Sequence, residues 1–271
     1  MTSVLIPDVR TIEPRRSIEE WLSSTSQLAA SSESLLWKPC GSFQDSGRTY
    51  SLPRFLFIGP RGGDDPIRIG IFASLHGDQL ESTSALLSFL RILEATPELA
   101  RNYFLFVYPI CNPTGFEDDT RCSRRERDLN REFWNNSREP EIRLLQSEIC
   151  SHALDGIISL HTDDSSSGLY AFTRSYTVGK NLVEPALAAA DSILPRDTNE
   201  LIDGFPAKDG VVRAVYTGAI SGPPKIRPRP FEIALCAPRH AARYQVEQGL
   251  VLALQSILAN YRELRAYAQN L

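Results

Sequence analysis

The chain has 271 residues, 42% of them hydrophobic and 23% charged, with a net charge of -4 at neutral pH. Such a composition excludes a disordered chain or a fibre, and the length allows a large core within one domain. The acidic balance gives no reason to expect nucleic acid or an anionic membrane as partner, and no run approaches the roughly 20 apolar residues of a membrane helix.

The N-terminus, MTSVLIPDVR, has no basic segment leading into a long apolar core, so a signal peptide is not expected. Five scattered cysteines, odd in number and never spaced CxxC, suit reduced thiols in a cytoplasmic protein. Residues 1–16 read as a tail. Ser17, with Glu20 three residues later, predicts the N-cap of a short helix holding Trp21 and Leu22. Leu35–Trp37 and Tyr50–Gly59 read as strands around a Gly41–Gly47 turn region, and Arg61–Asp65 as a further turn.

Ile67–Leu75 is a short apolar run of the kind a buried strand shows, closed by His76, Gly77, Asp78 and Gln79. Open α/β sheets place their ligands at this point, beyond the carboxyl end of a strand. A helical stripe from Leu80 to Leu93 follows, and then a strand from Tyr103 to Pro109. Cys111–Arg131 is rich in Asn, Asp, Gly and Arg without apolar period, and so long a loop in a compact domain is usually functional. Glu141–Leu154 predicts a helix. Gly156–Leu160 predicts a strand that again ends at a histidine, His161. Leu169–Thr173 reads as a strand and Gly179–Leu194 as a helix, with a glycine- and proline-bearing loop after it. Pro230–Cys236 is a strand carrying Glu232, and a last helix runs from near Pro238 towards Ala268. The alternation argues a single α/β domain over 1–271, with a central mixed, twisted sheet covered by helices on both faces.

Histidines at the ends of two strands can share a metal. A catalytic zinc site takes three protein ligands and leaves a position for water, and Asp78, Gln79 and Glu81 are the candidates for the third. A carboxylate within an apolar strand is costly to bury unpaired. Glu232 is therefore expected either to face a polar pocket or to pair with an arginine. His152 and His240 read as structural.

The ordered set H-G-D-Q (76–79), N-P-T-G-F (112–116), T-R (120–121), D-L-N-R-E-F (128–133), S-L-H-T (159–162) and F-E-I (231–233) resembles the zinc carboxypeptidase superfamily. The compact branch of murein-peptide amidases and succinylglutamate desuccinylase/aspartoacylase deacylases is the most similar. The resemblance runs from about Pro66 to the end of the chain. It implies one zinc ion held by His76, the residue at 79 and His161, with Glu232 as general base and Arg121 as the arginine facing the oxyanion. It likewise implies Asn130 and Arg131 as binders of a terminal carboxylate. Arg124, Arg125 and Arg127 are further cations of the same loop; Arg125 is taken as a substrate-binding candidate, the alternative being a solvated face answering Glu117, Asp118 and Asp119. Tyr216 stands where the superfamily has a substrate-covering tyrosine, but its surroundings match poorly and it is left unassigned.

The departure is Gln79, where the superfamily has glutamate. An amide oxygen ligates zinc without bringing negative charge, so metal affinity should fall. The expectation is a zinc-dependent hydrolase of an amide bond in a small peptide or N-acyl amino acid with a free carboxylate. The alternatives are a non-catalytic relative binding a carboxylate ligand and a deacylase of the aspartoacylase type. The C-terminal helix, in place of the deacylases' extra β domain, leans towards a peptidase or amidase.

Overall fold

The computed structural model describes residues 16–63 and 65–269, so all but the end of the expected tail lies outside it. Ser17 caps α1 (Ile18–Ser31) through a hydrogen bond from the Glu20 amide, as its sequence predicts. Then come β1 (Leu35–Trp37), a two-stranded hairpin of β2 (Gly41–Asp45) and β3 (Arg48–Leu52), and β4 (Phe55–Ile58). The expected turn region is thus mostly strand, and the chain reverses only at Ser46 and Gly47, both with positive φ.

The centre is built from β5 (Ile67–Phe72), α2 (Leu80–Ala95), β6 (Tyr103–Tyr108), α3 (Pro113–Asp118), α4 (Pro140–Ser151) and β7 (Gly156–Asp163). After β8 (Tyr170–Phe172), a continuous helical segment comprises α5 (Tyr176–Val178), a π-helical turn at Gly179–Val183 and α6 (Glu184–Ala190). The glycine-bearing stretch read as loop contains three short strands, β9 (Leu201–Ile202), β10 (Phe205–Lys208) and β11 (Val211–Val212). The chain continues through β12 (Phe231–Pro238) into α7 (Arg243–Gln269).

One ten-stranded sheet runs β1-β4-β6-β5-β7-β12-β8-β11-β10-β9. It is mixed: β6, β5, β7 and β12 are mutually parallel, and β4 and β8 flank them antiparallel. The period-2 alternation of strand side chains builds two cores. Ile69, Ile71, Leu105 and Val107 pack beneath α1, α2, α6 and α7, whereas Phe72, Phe106 and Tyr108 meet Ile142, Leu145 and Ile149 of α4 on the other face. Helices therefore cover both faces. Among the described residues no helix is long and apolar enough to cross a membrane. All five cysteines are free.

Candidate metal centre and carboxylate pocket

The parallel strands β5, β6 and β7 deliver His76, the 111–131 segment and His161 to one end of the sheet. That segment is ordered rather than structureless. Asn112 caps α3 by accepting from the Gly115 amide, and its side-chain nitrogen reaches towards the Leu75 and Arg121 carbonyls, each at 3.5 Å. Gly77 lets the His76 turn lie against α3, since a Cβ there would come 2.0 Å from the Gly115 carbonyl carbon.

A cavity of about 440 Å³ opens here, and it gathers His76, Gln79, Arg121, Asn130, Arg131 and His161. The His76 and His161 rings stand 5.6 Å apart, centroid to centroid. His76 Nε2 lies 2.9 Å from Asp128 Oδ1. A carboxylate accepts, so that nitrogen is the donor. Nδ1 is buried and has no partner. Gln79 Nε2 donates to the Thr162 carbonyl at 2.6 Å, which fixes the amide with Oε1 turned to His161 Nδ1 at 3.2 Å. Burial, then the charges of His76 and Arg121, push the His161 imidazole down to about 3, leaving it neutral at ordinary pH.

These donors fit zinc. An orphaned imidazole nitrogen faces the site, a second imidazole lies beside it, an amide oxygen is oriented by its own hydrogen bond, and a carboxylate holds the rear of the first histidine. Among the described residues no three His, Cys, Asp or Glu side chains cluster as a metal site, and the Gln79 amide is the further donor that reaches His161. Asp78 instead pairs with Arg239 at 3.0 Å, and Glu81 does not line the cavity.

Asp128, the first residue of D-L-N-R, has no role that the sequence assigns. It caps the 3₁₀ turn Leu129–Arg131, with Oδ1 accepting from the Asn130 amide at 3.0 Å and Oδ2 from Arg121 at 3.1 Å. Burial works to raise its carboxyl, but His76, Arg121 and Arg131 outweigh that and hold it well below the usual carboxylate range. Asn130 accepts from the Ile220 amide through Oδ1, leaving its NH2 as the end free for a ligand. The Arg131 guanidinium lies 4.0 Å from the Tyr216 ring centroid, and the Tyr216 hydroxyl donates to Asp203. Tyr216, without an assignment from sequence, thus stacks on Arg131 at the cavity wall. Gly218, with φ +74°, lets its loop press on this arginine: a Cβ would meet the Arg131 carbonyl oxygen at 2.0 Å.

Two expectations need correction. Arg125 does not reach the cavity; its Nε is 3.3 Å from Asp45 on the hairpin, and Arg124 is bound to Asp118 and Tyr50. Glu232 does line the cavity, and it has no arginine partner among the described residues, but it is not beside the histidines. The β7–β12 register sets Cys236 level with His161 and Glu232 level with Ile157, four residues earlier. At about 3.3 Å per residue that is about 13 Å along the strand, beyond the hydrogen-bond reach a general base needs. Burial raises the Cys236 thiol, so the neighbour of His161 is protonated and no base. Asp163, two residues beyond His161 on the same face of β7 and about 7 Å along it, is the closer cavity carboxylate along that strand.

Residues 66–195 match the family model described as the succinylglutamate desuccinylase/aspartoacylase catalytic domain. No curated protein matches the sequence. Among solved structures, a candidate metallopeptidase from Shewanella denitrificans superposes with a TM-score of 0.70 at 21% identity, over 89% of this chain and 87% of its own. A metallo-carboxypeptidase from Burkholderia cenocepacia gives 0.69 at 14% identity, over 91% and 68%. A metallo-carboxypeptidase from Pseudomonas aeruginosa, in complex with (2-guanidinoethylmercapto)succinic acid, gives 0.67 at 15%, over 92% and 70%. The fold is thus that of the metallopeptidase and metallo-carboxypeptidase structures, and residues 66–195 are similar to the deacylase catalytic domain.

Proposed function

We propose that the protein is a hydrolase of the metallopeptidase and deacylase type. It would cleave an amide bond in a small peptide or N-acyl amino acid bearing a free carboxylate, with one zinc ion held by His76, Gln79 and His161. The observation that carries this reading is the meeting of those three donors with Arg121, Asn130 and Arg131 in one cavity. The succinic acid derivative bound by the Pseudomonas aeruginosa relative supports a carboxylate-bearing ligand. The scattered free thiols support the cytoplasmic location.

Zinc, when bound, would supply Lewis acidity to the scissile carbonyl and acidity to the attacking water. Arg131 and the Asn130 NH2 hold the terminal carboxylate, a guanidinium being able to make two parallel hydrogen bonds to it. Arg121, anchored on Asp128, offers its N–H groups where negative charge develops on the carbonyl oxygen. The test is turnover by zinc-loaded protein against dipeptides, murein peptides and N-acyl amino acids, the last class separating deacylase from peptidase.

A second reading has its own observation. Cys236 beside His161, with Glu232 at the far end of the cavity, favours a relative that binds carboxylate ligands without turning them over. Tight binding in that screen without any turnover would select it.

A further inference from the structure

The β5–β7 ladder ends with Phe72 opposite Ser159, two residues short of His161 and four short of His76. Beyond that point strand pairing no longer holds the two donor-bearing segments together. The His76 turn is tied towards the 111–131 segment instead. The Gly77 amide donates to the Arg121 carbonyl at 3.4 Å, and the Gly77 carbonyl accepts at 3.1 Å from Arg16, which also pairs with Asp119. Two side chains cross from the turn to the end of β7: Gln79, bonded to the Thr162 carbonyl, and Asp78, through Arg239.

β12 stays paired with β7 as far as Pro238 opposite Asp163, so Arg239 leaves β12 level with the end of β7. Its backbone amide donates to the Asp163 carbonyl at 2.8 Å. From there its side chain reaches across β7, which lies between β12 and β5 in the sheet. Nε is 3.4 Å from Thr162 Oγ1 and 3.3 Å from Asp164 Oδ1, and Nη2 is 3.0 Å from Asp78 Oδ2. The other Asp78 oxygen is buried and has no hydrogen-bond partner. A planar guanidinium holds separate partners on its separate N–H groups in fixed geometry, which an ammonium does not. Asp78 stands between His76 and Gln79, and Thr162 follows His161. One fork therefore joins the residue between two donors to the residue after the third.

We infer that Arg239 is a positioning residue, setting how far the His76–Gln79 turn stands from His161 and so the shape of the metal centre. This rests on the reading of His76, Gln79 and His161 as the donors. The full chain, stripped of metal, is titrated with zinc against a chelating dye, and with cobalt(II), whose visible absorption reports coordination geometry. Arg239→Gln should weaken zinc binding about tenfold, the low end for a group that supports metal ligands from outside, and should shift the cobalt bands. Asp78→Asn should do the same. The double variant should lose no more than either single one, because both remove the same tie. Arg239→Lys, which keeps the charge without the fork, should fall between wild type and Arg239→Gln. Unchanged or tighter zinc binding by Arg239→Gln overturns the inference, as do additive losses in the double variant. So does a cobalt spectrum that stays put while only the melting temperature falls. Should Arg239→Gln fail to fold, the cobalt spectrum of Asp78→Asn decides by the same criterion. Wild type that binds no zinc, or zinc affinity indifferent to His161→Gln, strikes instead at the metal centre and takes the inference with it.

Discussion

Replacing Gln79 by glutamate introduces the ligand that the sequence resemblance implies, yet the surroundings of this side chain make the exchange two-sided. The Gln79 NH2 is buried against the Thr162 carbonyl at 2.6 Å. In Gln79→Glu an acceptor faces an acceptor there, and the Thr162 carbonyl loses its donor. An unsatisfied buried group costs about 1–3 kcal/mol, so a middle value of about 2 kcal/mol lowers the melting temperature of the metal-free variant by roughly 5 °C for a chain of this size. With zinc the balance reverses, because a carboxylate removes one unit of charge from the centre and binds the cation more tightly. Melting curves in chelator, followed by zinc titration, read both halves. The metal-free variant should melt below wild type, and its zinc-induced rise should exceed that of wild type. A metal-free Gln79→Glu as stable as wild type would refute the role given to Thr162. A zinc response no larger than that of wild type would refute Gln79 as the third ligand.

Asp128→Ala should weaken zinc affinity about 10- to 100-fold, the usual effect of losing a ligand's supporting carboxylate, and competition with a fluorescent chelator measures it. Arg131→Ala should lose roughly ten- to hundredfold in affinity for free-carboxylate ligands and little for their methyl esters; calorimetry that finds equal losses contradicts the clamp. The His161 pKa is depressed from 6.5 to about 3 in the fold, so below 6.5 the unfolded chain binds the extra proton. Its contribution is complete above pH 6.5 and lost as pH falls towards 3; melting in chelator should therefore show a steeper acid decline for wild type than for His161→Gln. Gly218→Ala places a Cβ in the Arg131 carbonyl at positive φ and should cost at least about 1–3 kcal/mol, read as a lower denaturation midpoint.

The parts of the fold legible in the sequence are those set by neighbours along the chain. The apolar run before His76, the stripe of α2 and the second run ending at His161 are local periodicities, and each forms the expected element. The β2–β3 hairpin and β9–β11 escaped, because strands of two to five residues carry too little alternation to stand out from turns. Glu232 shows the deeper limit. Its place in an apolar strand marks it as unusual, but which residue of β12 stands beside His161 is fixed by pairing with a strand some seventy residues away. That register brings up Cys236 instead. Arg125 went astray for a similar reason, since its carboxylate partner lies on a hairpin the sequence did not reveal. Asp128 was in view but silent, because a motif names residues and not the bonds between them.

One carboxylate is the common mount of three functional groups. Asp128 holds the rear of His76, the guanidinium of Arg121 and the amide of Asn130. Their mutual spacing is therefore set by this one side chain. Whatever opens the gap between Asp128 and β7 would slacken metal binding, oxyanion contact and carboxylate capture in proportion. Substitutions that displace Asp128 should lose all three properties together, rather than one at a time.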